Sequence, residues 1–284
     1  MSSTEVREQT AAPPFAPPGW AGVGTCALGA ADTLAPRLLP FHLLMLTTAG
    51  HGTAEVDFVA HRCRPGTLLW VRPGQALRVG APGLDAALVT FEPRLAKDDD
   101  PTGPRRWQLS GEDEDAVISE FAQLAADCER LEAGPLTAAL LRHQLTVLLL
   151  RIALLSGPEP GGPESRTFAR FRRLLEDGHG TSRRVEDYAA RLGCSVRTLT
   201  RASLTVTGRT AKQVVDDRVA LQARRLLACS AMSVAEVGRR LGFPEPTNFG
   251  RFFHREVGVS PGQFRAEAGG DGRAITPGPR PPAD

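Results

Sequence analysis

Signatures of disulfides, metal sites and catalysis are scarce in this chain of 284 residues. An odd number of cysteines lies widely scattered, with no Cys-x-x-Cys pair: Cys26, Cys63, Cys128, Cys194 and Cys229. This distribution argues against a disulfide framework or a zinc site and indicates reduced thiols. We also find no Gly-rich phosphate loop, no nucleophile–base arrangement and no carboxylate pair. The sequence therefore predicts neither an enzyme nor a bound cofactor.

Targeting and membrane-spanning segments are missing as well. The N-terminus is polar and proline-rich, without the apolar run of a signal peptide. The longest apolar region begins at Leu136, but Arg142, His143 and Arg151 interrupt it, which argues against a membrane span. We therefore expect a cytoplasmic protein with no membrane partner.

The sequence does have a marked charge asymmetry. Residues 1–163 carry thirteen Lys and Arg against nineteen Asp and Glu, a balance of −6. Residues 164–268 carry nineteen against eleven, a balance of +8. A chain of this length can form two separate cores. Opposite charges predict two domains with different roles, and a compact basic domain is typical of nucleic-acid binders.

The first half has the pattern of an α+β domain. From Pro40 to Pro93, short apolar runs alternate with Gly/Pro turns, which predicts an antiparallel β-barrel or sandwich. Two helices are expected to follow, over about 112–132 and about 135–155. The first of these is acidic in its opening turn, where the helix dipole favours anions.

A clear boundary lies at 156–165, where three prolines and three glycines occur in ten residues. Such a segment cannot continue a helix or a central strand. We therefore predict an ordered N-terminal domain, a linker and an all-helical domain, with a disordered segment at each end. The predicted bounds are 1–20 for the disordered N-terminus, 21–156 for the first domain, 157–165 for the linker, 166–268 for the helical domain and 269–284 for the disordered tail.

The basic half contains an internal repeat. The triplet Arg-Leu-Gly occurs at 191–193 and 240–242, and Leu199-x-Arg201 corresponds to Phe249-x-Arg251 fifty residues later. Repetition of this kind indicates one supersecondary unit used twice. In each copy a glycine suits a sharp helix end, and in the first copy Ser195 can cap the next helix. The pattern predicts two helix-turn-helix units, over 185–206 and 234–257.

Three segments of this half resemble the DNA-binding domain of AraC/XylS transcription regulators: "YAARLGCSVRTLTR", "RVALQARRLLACSAMSVAEVGRRLGF" and "NFGRFFHREVGVSPGQFR". The resemblance implies recognition helices at Ser195–Ser203 and Pro246–His254, joined by a long helix at about Lys212–Ser230. Recognition helices held in this way can enter successive major-groove segments of double-stranded DNA, about 34 Å apart. A phenylalanine core in the second unit would then hold basic residues toward DNA.

The resemblance also assigns the DNA-facing residues. They are expected to be Ser195, Arg197, Thr198, Thr200, Arg201, Thr247, Asn248 and Arg251. Arginine can bind guanine with two hydrogen bonds, and threonine can reach a base edge or a phosphate. Gly250 departs from the family, since a base-contacting side chain is frequent there; the second unit is therefore expected to contribute more phosphate anchoring. For five further arginines a solvated face is at least as good an interpretation as phosphate contact: Arg191, Arg224, Arg239, Arg240 and Arg255.

The strand-rich segment resembles, less specifically, the cupin-like sensing barrel that precedes this domain in many family members. This resemblance implies a small-molecule effector, RNA polymerase as a partner, and either activation or repression. Metal-binding cupins have closely spaced histidines, whereas His42, His51 and His61 are nine and ten residues apart, so we expect no metal. A cupin-type enzyme with a helical accessory domain is the alternative.

The leucine-rich segment 136–155 has two interpretations. It can cover the barrel, or it can form a homodimer interface, which the resemblance favours.

Overall fold

The computed structural model describes residues 16–32, 34–80, 83–96, 106–155, 162–178 and 182–269. Strands and two helices occupy the first half, and helices occupy the second, so the predicted two-domain α+β class is confirmed. Residues 1–15 and 270–284, on which most of the predicted terminal disorder falls, lie outside the described residues, as does most of the predicted linker. The exact domain bounds therefore stay a prediction.

The first half contains two antiparallel sheets. Its strands are β1 Val23–Leu28, β2 Leu34–Leu38, β3 His42–Gly50, β4 Gly52–Val56, β5 Val59–Cys63, β6 Thr67–Val71, β7 Ala76–Val79, β8 Leu84–Phe91 and β9 Arg106–Gln108. One sheet has the order β1-β8-β3-β6-β9 and the other the order β2-β7-β4-β5. The two sheets stay separate along their edges, so the expected barrel is an open, sandwich-like arrangement.

Central strands β3 and β6 are apolar on both faces because the larger sheet is a middle layer. Leu43 and Met45 face the core between the two sheets, whereas Leu44 and Leu46 face the core under the helices. Successive side chains of a strand point to opposite faces, so a strand covered on both sides must be apolar throughout. The continuous run "FHLLML" is explained in this way.

Two strands precede the predicted β region. Strands β1 and β2 begin before Pro40, the first residue of that region. Strand β2 contains Pro36, which weakens its strand signal, and it lies at the edge of the smaller sheet. Proline is tolerated there because an edge strand needs fewer backbone donors.

Helices α1 (Glu112–Arg130) and α2 (Pro135–Leu155) cover the outer face of the larger sheet. The buried residues Leu141, Leu145 and Leu148 of α2 join the core beneath the two helices. By length and composition α2 is the one helix in the described parts of the chain that could cross a membrane. Its buried face belongs to a packed core, so this signal is weak.

The second half consists of helices around one core. They are α3 Pro163–Gly178, α4 Val185–Leu192, α5 Val196–Thr207, α6 Ala211–Cys229, α7 Val234–Arg240, α8 Pro246–Val257 and α9 Pro261–Gly269. Helix α3 starts within the expected linker, because proline is well suited to a first helical turn. Helix α9 likewise includes Gly269, the first residue of the expected tail.

The repeat takes the form of two helix-turn-helix units, α4–α5 and α7–α8, joined by α6. Gly193 ends α4 with φ of 66°, and Gly242 follows α7 with φ of 75°. Both glycines adopt the left-handed conformation that a sharp helix end requires. Gly238 lies where α7 meets α8, and a Cβ at that position would be 3.1 Å from Cβ of Phe249. The close approach explains why this position has no side chain.

Candidate nucleic-acid interface

The first recognition helix, α5, begins at a side-chain cap. The Ser195 hydroxyl accepts a hydrogen bond from the backbone N–H of Thr198 at 3.1 Å, and the two hydroxyl oxygens are 2.9 Å apart. Such a cap satisfies one of the free N–H groups at the start of the helix. Both oxygens are therefore engaged locally, and Thr198 is only half-exposed.

Helix α5 has a buried face and an outer face. Leu199, Ala202 and Ser203 point into the core, and the Ser203 hydroxyl donates to the carbonyl oxygen of Leu199 at 2.9 Å. Arg197 and Arg201 lie on the opposite, exposed face. The helix therefore presents two guanidinium groups one turn apart to solvent.

Helix α8 repeats this division fifty residues later. Phe249, Phe252 and Phe253 are buried, while Thr247 and Arg251 are exposed at the positions that correspond to Arg197 and Arg201. Phe243 lies 5.4 Å from Phe249 and 4.9 Å from Phe252, ring centre to ring centre. The aromatic cluster fixes α8 and leaves its polar face outward.

An open groove of about 1260 Å³ runs between the two units. Thr200 of α5 and Asn248 and Arg251 of α8 line it together. The other predicted residues do not line it: Ser195, Arg197, Thr198, Arg201 and Thr247. Of these, Arg197, Arg201 and Thr247 have exposed side chains. The structure thus brings polar side chains from both recognition helices to a common opening.

The three predicted arginines differ in their surroundings. Nη2 of Arg201 is 3.5 Å from the Glu164 carboxylate of α3, with the Arg201 side chain 69% exposed. Within the described residues, Arg197 and Arg251 form no ion pair. A long, exposed pair such as Arg201–Glu164 contributes little to stability, so the guanidinium remains available to an anionic partner.

Sequence reasoning missed Arg183, which precedes α4. Its guanidinium carbon lies 3.8 Å from the centre of the Phe243 ring, and Nη2 donates to the carbonyl oxygen of Gly242 at 3.0 Å. Burial lowers the pKa of this group, while Asp216 raises it. Arg183 therefore connects the start of the first unit with the turn of the second. The Arg-Phe pair is too distant in sequence to give a local signal.

Of the five arginines left open, two have defined structural roles. Arg255 lies 3.6 Å from Asp216 of α6 and its Nε donates to Glu256 at 2.7 Å. Arg224 lies over aromatic rings that include Phe58, from the other half of the chain. Neither of the two open interpretations, a solvated face or a phosphate contact, describes Arg224. Arg191, Arg239 and Arg240 are exposed.

The histidines considered above as possible metal ligands differ in their environments. Nδ1 of His42 accepts a hydrogen bond from Nε1 of Trp70 at 3.1 Å, and its ring stacks on Phe91. Burial, with a contribution from the charge of Arg72, lowers the pKa of His42 to about 4, so the ring is neutral at pH 7. His51 is exposed. Within the described residues, no group of three or more His, Cys, Asp or Glu side chains could hold a metal ion.

Two family models match this chain. A model described as an AraC-like ligand binding domain matches residues 29–148, and a model described as a helix-turn-helix domain matches residues 188–267. Together they span more than two thirds of the sequence.

Curated relatives include proteins named HTH-type transcriptional activator RhaS. The protein from Shigella boydii serotype 18 is 29% identical over 167 residues, or 57% of this chain and 58% of the relative. The protein from Enterobacter sp. strain 638 is 28% identical over 174 residues, or 60% of this chain and 61% of the relative. The match thus spans about three fifths of the length of these relatives.

Solved structures with some similarity include ToxT from Vibrio cholerae O395, at 11% identity and a TM-score of 0.46, covering 87% of this chain and 98% of that chain. Another is the DNA-binding domain of AdpA in complex with a target DNA, at 36% identity and a TM-score of 0.33, covering 38% of this chain and 93% of that chain.

The two matched domains occur in the order in which the structure shows an antiparallel β half and a doubled helix-turn-helix half. On this basis the chain belongs to the AraC/XylS family of transcription regulators.

Proposed function

We propose that this protein is a sequence-specific regulator of transcription that binds double-stranded DNA. The observation that carries the proposal is the pair of corresponding outer faces on α5 and α8, held by one helix, α6. In both helices the buried side is mostly apolar and the outer side has an exposed arginine at the same position, Arg201 or Arg251. Two such helices on a rigid support are suited to adjacent major-groove segments.

The roles of the site residues follow from their chemistry. Arg197 and Arg201 can each bind a guanine edge with two hydrogen bonds, and Thr200 can bind a base or a phosphate. In the second unit, Thr247, Asn248 and Arg251 provide polar contacts, while Gly250 provides none. We infer that α5 contributes more to sequence discrimination and α8 more to anchoring on the phosphate backbone. Ser195 and Thr198 hold the start of α5 and can reach a phosphate at the same place.

Control by a small molecule bound to the N-terminal domain is the second part of the proposal. Its support is the match to a ligand binding domain over residues 29–148. We infer that the protein acts through binding rather than catalysis, works in the cytoplasm and contacts RNA polymerase. The relatives' names describe activators, so we propose activation as the sign of regulation.

Dimerisation through α2 is the third part. Besides the face packed on the sheet, α2 has an exposed apolar stripe: Leu136, Leu140, Val147, Leu150 and Leu154. Residues 136, 140, 143, 147, 150 and 154 follow the alternating spacing of four and three residues that is typical of paired helices, with His143 at the remaining position. We propose that this stripe packs against the same stripe of a second copy. Substitution Leu150→Glu should yield a monomer by gel filtration without loss of helical content.

Selection of bound sites from a random DNA pool tests the proposal directly. We expect recovery of a defined sequence, and we expect affinity to fall steeply with salt, because phosphate contacts release counterions. The fragment 165–268 should fold and bind DNA alone as a monomer, because it has its own core and a charge of +9. The full chain should bind more tightly, because a second copy adds a second DNA-binding domain. Failure of both proteins to bind any duplex at low salt would refute the assignment.

A further inference from the structure

The turn between β4 and β5 is unusual in its residues. Asp57 and Phe58 are the two central residues of a two-residue hairpin turn, and both have positive φ, 54° and 65°. Such turns favour asparagine and glycine, because a bulky side chain at positive φ crowds the backbone. Phe58 is therefore unfavourable for the hairpin itself. Backbone strain of this kind persists only where surrounding contacts hold it.

Some of those contacts come from the other half of the chain. The Asp57 carboxylate accepts hydrogen bonds from Nε and Nη2 of Arg225 in α6, both at 2.8 Å, and the two side chains are 5% and 6% exposed. Within its own half the same carboxylate accepts from Nε2 of Gln75 at 2.5 Å and from the backbone N–H of Ala76 at 3.1 Å. Burial raises the pKa of Asp57, but the bonds and charge of Arg225 outweigh it and the pKa is lowered.

Phe58 packs, partly buried, against the core of the helical half. Its ring makes an edge contact with Phe264 of α9 at 5.4 Å, and the Arg224 guanidinium carbon lies 4.4 Å from the centre of the Phe58 ring. Phe264 in turn is 5.6 Å from Phe253, which belongs to the buried face of α8. A residue of the N-terminal half is thus the first ring of a row that ends under the second recognition helix.

Arg225 also belongs to a row of polar contacts along α6. Its Nη1 donates to Oε1 of Gln222 at 3.5 Å, and the same oxygen accepts from Nη1 of Arg218 at 3.2 Å. Nε of Arg218 donates to Glu176 of α3 at 2.8 Å. The carboxylate of Asp57 is therefore connected with both the long helix and α3, which packs against α5.

We propose that the Asp57–Phe58 turn is a docking device that fixes the N-terminal domain on α6 and α9 and couples its conformation to α8. This docking turn combines an unfavourable local conformation with a buried ion pair and an aromatic contact that exist only when the two halves are joined. The effect on DNA rests on the proposed function. The docking itself does not, and it can be tested without DNA.

The docking test uses the full chain with Phe58→Gly and Arg225→Met. The protein's three tryptophans, at positions 20, 70 and 107, all lie in the N-terminal half. Their fluorescence therefore reports the unfolding of that half as the urea concentration rises. Circular dichroism at 222 nm follows mainly the helices. In the wild type the two signals should change together, and in both variants they should separate, with a larger radius of gyration in X-ray scattering.

Matched controls change exposed neighbours that have no part in docking, Val59→Ala in the hairpin and Arg239→Met in α7. Both controls should keep coincident transitions and the wild-type radius. Docking by this turn is refuted if the transitions already differ in the wild type, or if Phe58→Gly and Arg225→Met leave both observables unchanged. Glycine suits the turn better than phenylalanine, so separation in Phe58→Gly cannot be attributed to a damaged hairpin.

The coupling to DNA is tested on a duplex recovered from the random pool. We expect Phe58→Gly to change affinity by about fivefold or more, the usual lower range for coupled sites. Footprints should change at the positions that face α8 and stay the same at those that face α5. Asp57→Asn combined with Arg225→Met should be no worse than the worse single variant, because both remove the same ion pair. Unchanged footprints and affinity would refute the coupling, whereas a wild type that binds no duplex would refute the proposed function instead.

Discussion

The two helix-turn-helix units share a backbone plan but obtain their aromatic cores from different places. In the second unit, α8 itself supplies Phe249, Phe252 and Phe253. At the corresponding positions of α5 the residues are Leu199, Ala202 and Ser203, which are much smaller. The first unit instead receives aromatic rings from α3 and α4: Phe168 and Phe171, with Phe171 lying 5.6 Å from Tyr188. The second unit supplies most of its own aromatic rings, with Phe264 of α9 added, whereas the first depends mainly on α3, a helix outside the repeat.

The outer faces of the two recognition helices also differ, and here α5 has the larger side chains. Helix α5 presents Arg197, Thr200 and Arg201, whereas α8 has Thr247, Gly250 and Arg251 at the same places. The unit with the larger internal core thus has the smaller set of side chains for reading bases. This contrast suggests a division between discrimination by α5 and anchoring by α8, and four sets of substitutions can sharpen or break it.

The largest expected effect is on the core of the second unit. Phe249→Ala should lower the free energy of unfolding by about 3–5 kcal/mol, because a fully buried aromatic leaves a large cavity. Urea unfolding followed by circular dichroism measures the loss. Leu199→Ala, its counterpart in α5, should cost about 2–5 kcal/mol. A negligible loss in Phe249→Ala would contradict the role given to the aromatic cluster.

The second largest expected effect is the loss of DNA affinity when an exposed arginine is removed. Arg201→Ala and Arg251→Ala should each weaken specific DNA binding by about 1–3 kcal/mol while leaving the unfolding curve unchanged, because both side chains are exposed. Titrations across sequences distinguish their roles: Arg201→Ala should relax base preference, and Arg251→Ala should weaken all sequences and reduce the salt dependence. Arg130→Ala, on the exposed surface of α1, is the control. Identical behaviour of the two variants would contradict the proposed division between discrimination by α5 and anchoring by α8.

A smaller effect is expected at the helix crossing. The first unit has Ala189 where the second has Gly238, and Gly238→Ala would place a Cβ 3.1 Å from the Phe249 side chain. Overpacking lowers the free energy of unfolding by about 1–3 kcal/mol, and the higher helix propensity of alanine offsets about 1 kcal/mol of this loss. We therefore expect a net loss of stability of roughly 0–2 kcal/mol in a thermal melt. A gain in stability would show that the aromatic cluster adjusts to the added methyl group at little cost.

The smallest effect concerns the helix caps. Ser195→Ala should cost about 1 kcal/mol, since Ser195 accepts from the backbone N–H of Thr198. Glu245 occupies the same place before α8 without a side-chain cap bond, and Pro246 follows it. Glu245→Ala should therefore leave stability nearly unchanged. Equal losses in the two variants would contradict the difference in capping.

Local signals in the sequence predicted the helical half well. The repeat pattern predicted helix-turn-helix units over 185–206 and 234–257, and the pairs α4–α5 and α7–α8 span almost the same residues. Their success has a physical basis, because caps, glycine helix ends and apolar spacing act within a few residues. The β half was predicted in class but not in extent, since an edge strand with a proline gives a weak local signal.

The sequence by itself indicated the family through its resemblance and the doubled helix-turn-helix through its internal repeat, because the signals of such a unit lie among neighbours along the chain. Only the tertiary structure decided that Asp57 pairs with Arg225, which are 168 residues apart, and that Phe58 rather than solvent lies against Arg224. Nothing in the sequence around the turn or around the arginine indicates that the two will pair. Their pairing exists only after two separately specified halves have packed together, which buries the ion pair and holds the turn in a conformation its own residues disfavour.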